Sequence, residues 1–306
     1  MTPRHLLIAM LVPITWGFGF ALAKDGLSHF PPLLLMGMRF GIAALVLVWF
    51  VPLPRGHWRS LTLIAVISAT LQYGLVFSGL AMIDATPAIL LVQSEVVFGT
   101  IIAAIMLKEL PTMRQLAGTC IALVGILTIV GAPSLTGQMT GVALILTGCL
   151  CWALGQVMVR RLGDVMSGFQ ITAWIGTIAA PQMLLASVLI EGDPLPALAA
   201  APPFAWATVL YLGVVMTVVG YSAWYFLLSK YPVPIVMPVL LLLPISTIMG
   251  AVTFLGENPD PHVLLGGAIV VGGVSAVIVE PAQFRRLFRR SGGCLLYTSD
   301  AADDET

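Results

Sequence analysis

Charge is what this chain most conspicuously lacks. Only 9% of its residues are Asp, Glu, Lys or Arg, against about 25% in soluble globular domains. So few charges cannot cover the surface of a 306-residue protein in water, and most side chains are expected to be solvated by lipid. Acidic and basic residues balance at 14 each, which leaves no basic field for a nucleic acid. Cysteine is scarce as well. Cys120, Cys149, Cys151 and Cys294 follow no metal or disulfide spacing, and three of them fall in apolar runs, where they read as small hydrophobes. His5, His29, His57 and His262 lie at the edges of apolar runs or in loops, so neither a metal nor a cofactor is expected. A phosphate-cradling glycine loop, G-x-S-x-G, H-E-x-x-H, paired intramembrane aspartates and a mid-span lysine are all missing. Those absences argue against ATP hydrolysis and against an enzyme of these classes.

What the chain has instead is apolar sequence, 59% of it. Runs of about 17 to 25 residues, the length that crosses ~30 Å of hydrocarbon, occur ten times. They fall near 6–23, 33–51, 60–82, 86–107, 115–131, 139–159, 167–190, 204–228, 234–255 and 262–279. The connections hold the helix breakers, among them Pro31-Pro32, Pro52, Pro54, Pro133, Pro202-Pro203 and Pro259. The first run has no basic leader and no small-residue cleavage site, and is expected to stay as a spanning helix. The expected fold is therefore all-α and integral to the membrane, with ten transmembrane helices. Residues 291–306 are polar, end acidic and read as a non-native tail.

Orientation follows from the basic residues. Twelve of the 14, including Arg4, Arg55, Arg59, Lys108, Arg114, Arg160, Arg161, Lys230 and the four between Arg285 and Arg290, fall on the side shared by both ends of the chain. Lys24 lies opposite and Arg39 lies inside the second run. Both termini are expected in the cytoplasm. Arg285, Arg286, Arg289 and Arg290 then read as a topology anchor.

The chain also repeats itself. Between Ala103–Gly125 and Ala251–Gly273, eight positions coincide at an offset of 148, among them Glu109/Glu257, Pro111/Pro259, Gly118/Gly266 and Gly125/Gly273. Chance would give roughly two, so the chain reads as a duplication. Tyr73/Tyr221 and Phe77/Tyr225 extend the match at the same offset, whereas Trp16/Trp152 and Gly19/Gly155 match at 136. Twelve extra residues in the second copy, placed most simply near Glu191–Pro203, reconcile the two offsets. The units are residues 1–137, residues 138–284, and a basic end with the tail at 285–306. Each repeat holds five spans, an odd number, so the second is expected to lie inverted, with a site near the midplane where the two meet.

Several intramembrane side chains are candidates for that site. Glu95 sits deep in the fourth run, where a carboxylate usually faces a cavity or a partner; it is a candidate for proton coupling or for a substrate ammonium. Its structural alternative is a carboxyl hydrogen-bonded by Gln93, Ser94 or another span. Arg39 can snorkel, form a structural or gating ion pair with Glu95 or Asp84, or meet a substrate carboxylate. Tyr73 with Phe77, and Tyr221 with Trp224 and Tyr225, form aromatic clusters on single helix faces, suited to apolar side chains or to core packing. Trp16 and Trp152 are deep and repeated. Gln72, Gln93, Gln156, Gln170 and Trp174 add polar or aromatic groups. Together these residues describe a mostly apolar, substrate-binding cavity with hydrogen-bonding points, lined by spans 1, 3, 4, 6, 8 and 9 and suited to a zwitterion. Pro234, Pro238 and Pro244 in the ninth run are candidate hinges. The glycine faces of runs 5 and 10 are expected to pack at the back of the bundle or at a homodimer contact.

At the elbows, Leu107-Lys108-Glu109 and Leu255-Gly256-Glu257 resemble the duplicated EamA signature of the drug/metabolite transporter superfamily. Thr15-Trp16-Gly17-Phe18-Gly19 and the stretch from Pro32 to Arg39-Phe40 resemble that family's opening motifs. The resemblance covers residues 5 to about 280 and is nearest to YddG-type aromatic amino-acid exporters. It implies a secondary transporter in the bacterial inner membrane that moves small organic metabolites, most of all apolar or aromatic amino acids, outward by alternating access. A drug or nucleotide-sugar carrier and a passive channel are the alternatives. Pro244, 13 residues before Glu257, follows the family pattern, but half one has Glu95-Val96 there. Half one thus lacks the proline that would break its fourth helix.

Overall fold

The computed structural model describes residues 3–106, 112–162, 166–230 and 237–278. Among them the chain is helical, with no strand. Seven helices are long and apolar enough to cross a membrane: α1 (Arg4–Gly26), α2 (Pro32–Phe50), α3 (Trp58–Met82), α5 (Met113–Val130), α6 (Met139–Val159), α7 (Phe169–Glu191) and α8 (Pro203–Trp224). Three are shorter: α4 (Ala85–Gly99), α9 (Leu243–Leu255) and α10 (Pro261–Ala276). Each shorter helix overlaps one of the ten apolar runs, and α9 is short because the backbone departs from α geometry inside its run. The outward faces are apolar, with Leu127 69% and Ile190 76% exposed, an arrangement that only a lipid solvent tolerates across so many helices.

The helices pair as a two-fold exchange of halves requires. α5 packs on α10 and α2 on α7; α3 packs on α6 while α8 packs on α1; α4 packs on α6 while α9 packs on α1. Glycines set these contacts. A Cβ on Gly125 would lie 2.7 Å from the Gly266 oxygen, one on Gly266 would lie 2.9 Å from the Gly125 oxygen, and one on Gly273 would lie 2.6 Å from the Gly118 oxygen. The early residues of α5 thus meet the late residues of α10, so these repeat-related helices run antiparallel with backbone against backbone. Gly118, Gly125, Gly266 and Gly273 are thus occupied within the chain. The two offsets meet in a single pair of contacts. Gly155 admits the Ser68 side chain and Gly19 admits Met216, and these are mates at 136 and at 148 respectively.

Both α3 and α8 contain a π-helical stretch, Val66–Leu71 and Tyr211–Val219. Their C-terminal ends coincide at the 148 offset, one residue before Gln72 and Gly220. Such a stretch inserts a residue into the helical register and turns the following face. It was not legible from the sequence. The twelve extra residues of the second half are spread more widely than the acidic connection: α7 is lengthened by a π-helical turn at Ser187–Glu191, and a short helix, Leu195–Ala200, follows.

The fourth run breaks without a proline. Gln93 N–H bonds to Leu90 O and Val96 N–H to Gln93 O, and these tight bonds interrupt the ladder between Val92 and Ser94. The carbonyls of Leu91 and Val92 turn toward α6, where the Cys149 thiol lies 3.9 and 3.8 Å away as a donor. Cys149 is therefore a weak hydrogen-bond donor as well as a small hydrophobe. The break coincides, at the 148 offset, with the start of α9. There the single helix expected over 234–255 is replaced by a 3₁₀ turn, Met237–Leu242, followed by α9 with Pro244 in its first turn. A proline in a first turn removes no helical bond, so Pro244 starts a helix instead of kinking one. Pro238 belongs to the 3₁₀ turn, and Pro234 lies outside the described residues.

The second elbow works as a cap on the opposite half. Glu257 Oε1 and Oε2 accept from Ala85 N–H at 2.6 Å and Thr86 N–H at 3.0 Å, at the start of α4. Lys24 Nζ donates to the Leu80 carbonyl at 2.9 Å, at the end of α3. Each charge satisfies orphan backbone groups and faces the helix end that favours its sign. Beside them, Asp260 accepts from His262 N–H and Ser134 N–H, which holds its carboxyl below the ordinary carboxylate range. Glu191 caps α2 in the same manner, through Leu33 N–H at 2.7 Å and Leu34 N–H at 3.1 Å. The first elbow, Leu107 to Pro111, lies outside the described residues, as does the tail.

Adjacent glycines of α10 test the backbone contact. A Cβ on Gly273 would lie 2.5 Å from Ala122 N, whereas one on Gly272 meets nothing within 4 Å. Gly273→Ala is expected to destabilise the protein by about 1–3 kcal/mol through overpacking. Gly272→Ala is expected to be neutral or stabilising by up to ~1 kcal/mol. Thermal unfolding in detergent micelles measures both. Likewise, Glu257→Ala is expected to cost about 0.5–2 kcal/mol, as loss of a helix cap does.

Candidate functional site

Where the halves meet, α3 and α8 bring Tyr73 and Tyr221 together, hydroxyl to hydroxyl at 3.0 Å. These are the residues paired by the 148 offset. The Tyr73 ring stacks on Phe77 at 5.9 Å and takes Phe40 edge-on at 5.0 Å. Tyr221 faces Trp16 at 4.8 Å, and Trp16 faces Trp224 at 6.1 Å. Trp16 reaches this position because Gly220, the first residue after the π-helical stretch, has no side chain; a Cβ there would overlap the indole nitrogen.

Beside the tyrosine pair lies a cavity of about 280 Å³. Its wall includes Trp16, Gln72, Tyr73, Phe77, Gln93, Glu95, Trp152, Tyr221 and Trp224, nine of the eleven residues expected to bind substrate. The side chains of Gln156 and Tyr225 lie outside the description. The wall draws on the six spans expected and on two more, through Arg39 of α2 and Val274 of α10. Gln170 and Trp174 are elsewhere. Gln170 forms a capping box with Ser167 at the start of α7, and Trp174 donates to the Pro52 carbonyl at 2.9 Å in a separate apolar cluster. For Gln170 the signal was present in the sequence as S-x-x-Q before an apolar run.

Arg39 is 1% exposed, so it does not snorkel. It also makes no ion pair with Glu95 or Asp84. Its Nε donates to Thr217 Oγ1 at 2.9 Å, and its guanidinium carbon lies 4.9 Å from the centre of the Tyr73 ring and 5.4 Å from that of Phe40. The physical reason is the π-helical stretch of α8, which aims Thr217 at α2 while its hydroxyl donates to Leu212 O at 2.7 Å. A hydroxyl and two ring faces hold the cation and leave it without a neutralising carboxylate. Glu95, in the first turn of α4 after the break, lines the same cavity. Among the described residues none hydrogen-bonds its carboxyl, which removes the structural role weighed for Gln93 and Ser94. Two more polar atoms at this wall are buried without a hydrogen-bond partner, Gln72 Oε1 and Trp16 Nε1. Buried polar atoms are rarely left so. Here an acceptor and a donor stand in the wall of one cavity.

Residues 4–131 and 139–279 each match the model of the EamA-like transporter family. The chain belongs to that family. As an EamA-like transporter it is a multi-pass membrane protein that moves metabolites. It is 31% identical over 307 residues, covering 95% of this chain and all of the relative, to a Salmonella typhimurium protein named "Probable amino-acid metabolite efflux pump". An Escherichia coli (strain K12) protein of the same name is 28% identical, with 90% of this chain and 94% of the relative covered. Among solved structures, a crystal structure with 19% identity superposes with a TM-score of 0.64 over 94% of this chain and 99% of the other, a likeness of fold.

The hydroxyl that holds Arg39 is the residue sequence reasoning missed, because Thr217 stands in an otherwise apolar run. Thr217→Val is expected to destabilise the EamA-like transporter by about 1.5–3 kcal/mol, the worth of a hydrogen bond to a charged group. Thr217→Ser is expected to retain most of that stability. Chemical or thermal unfolding in micelles compares the two.

Proposed function

We propose that this transporter exports zwitterionic amino acids, chiefly those with apolar or aromatic side chains, across the bacterial inner membrane. The observation that carries the reading is the charge pattern of the cavity. Its only formally charged side chains among the described residues are one guanidinium, Arg39, and one carboxyl, Glu95, and neither neutralises the other. The rest of the wall is aromatic or apolar with amide and hydroxyl points. An α-carboxylate suits Arg39, an ammonium suits Glu95 and the neighbouring ring faces, and an apolar side chain suits the indoles and phenyl rings. A nucleotide sugar would ask for several cations around its phosphates, and this wall supplies one.

In this reading ten helices span the membrane as two inverted halves of five, with both termini cytoplasmic. The antiparallel run of α5 against α10 supports the inversion, and the twelve basic residues on one side support the orientation. The halves rock about the cavity to expose it to each face in turn, with the 3₁₀ turn before α9, which holds Pro238, as a flexing point. Glu95 gives up its proton or its substrate ammonium as the cavity changes faces.

Counterflow in proteoliposomes with a panel of labelled amino acids tests this. Saturable exchange of apolar and aromatic amino acids is expected, with weaker exchange of analogues lacking the carboxylate or the amine. Glu95→Gln is expected to reduce exchange about 10- to 100-fold, the equivalent of one lost charged hydrogen bond. Flux without saturation or counterflow would identify a channel, and wild-type exchange by Glu95→Gln at every pH would remove Glu95 from the mechanism.

A further inference from the structure

A second, smaller cavity of about 90 Å³ lies on the other side of the tyrosine pair. Tyr73, Trp152 and Tyr221 line both cavities and so form the wall between them. The smaller one extends to Ala44 and Leu47 late in α2, to Val159 at the end of α6 and to Ile171 near the start of α7. Those helix ends lead into the segments that carry Arg55, Arg59, Arg160 and Arg161. The larger cavity lies around the middle of the helices, from Phe20 and Ile89 to Trp224 and Val274, and shares none of the late α2 or early α7 lining. The smaller cavity is therefore a vestibule on the basic side.

We propose that the Tyr73–Tyr221 hydroxyl pair is an inner gate, a bar across the path between a cytoplasmic vestibule and the central cavity. The path itself rests on the transport reading above; the bar between the two cavities does not. Three features suit the pair to this task. It joins α3 to α8, one helix from each half, so any rocking of the halves acts on it directly. Each tyrosine follows a π-helical stretch, Val66–Leu71 or Tyr211–Val219, and drawing either stretch into α geometry would rotate its tyrosine out of register with the other. The bar is also coupled to the substrate site, because Arg39 lies over the Tyr73 ring and Trp16 lies against Tyr221. A carboxylate that draws on Arg39 loosens the cation's hold on Tyr73. Substrate occupancy and gate opening are then linked through one guanidinium.

The test follows reagent access and needs no substrate. In a chain whose four cysteines are replaced by alanine, one cysteine is placed either in the central cavity by Val92→Cys or in the vestibule by Ala44→Cys. A membrane-impermeant methanethiosulfonate is applied to each face of oriented vesicles in turn. From the cytoplasmic face, Val92→Cys is expected to react slowly. Tyr73→Phe or Tyr221→Phe, each of which keeps its ring and removes one hydroxyl, is expected to speed that reaction about five-fold, as loss of one neutral hydrogen bond would. Ala44→Cys is expected to react at the same rate in every background. An unchanged Val92→Cys rate in both Phe backgrounds would overturn the gate. If the vestibule cysteine reacted only from the opposite face while the five-fold ratio held, the orientation would be wrong and the gate would stand.

Discussion

The structure depends on close approach of backbones between the two halves. α5 and α10 touch carbonyl to glycine, and the contacts of Gly19 with Met216 and of Gly155 with Ser68 repeat the device on the other helices. Water does not drive helices together inside lipid, so dispersion and shape decide which faces meet. Glycine allows the closest approach, and a duplicated chain with glycine at matching places can build the same contact twice. The pairing of α3 on α6 with α8 on α1, and of α4 on α6 with α9 on α1, is what such a chain produces when its copies face each other.

That packing leaves polar work to a few side chains. Glu257, Lys24 and Glu191 each satisfy backbone groups at a helix end, where a charge is stabilised by the groups it caps. In the interior, the π-helical stretches and the break at Gln93 serve the cavity. They free Thr217 for Arg39, place Gly220 under Trp16 and bring Glu95 into a first turn at the cavity wall. Irregular backbone at this depth is tolerated because it is enclosed by protein or borders a cavity. The departures from α geometry inside α3, α4 and α8 thus border the two cavities.

Much of this was written plainly in the chain. The 148 offset paired Tyr73 with Tyr221, and they hydrogen-bond; the 136 offset paired Gly19 with Gly155, and they occupy equivalent contacts. Trp16, Gln72, Glu95 and Trp152, singled out by depth and residue type, line the cavity, whereas Gln170 and Trp174, singled out in the same way, do not. The misses have a common cause. Arg39 was expected to seek a carboxylate, since the pairing of opposite charges is visible in sequence. Its actual partners depend on a π-helical register that no residue type announces. The fourth helix was expected to need a proline to break it, and it breaks through two tight backbone bonds backed by a thiol on α6. Side chains broadcast their preferences; local changes of backbone register emerge only when the helices are packed.

The central claim is that two copies of one five-helix unit face each other in opposite senses around a path. Thr112 and Asp260 are mates at the 148 offset and stand before α5 and α10. Thr112→Cys and Asp260→Cys, each in a cysteine-free chain in oriented vesicles, place one thiol at each position. An impermeant thiol reagent should reach the first only from the cytoplasmic face and the second only from the opposite face. Labelling of both from the same face would contradict the account.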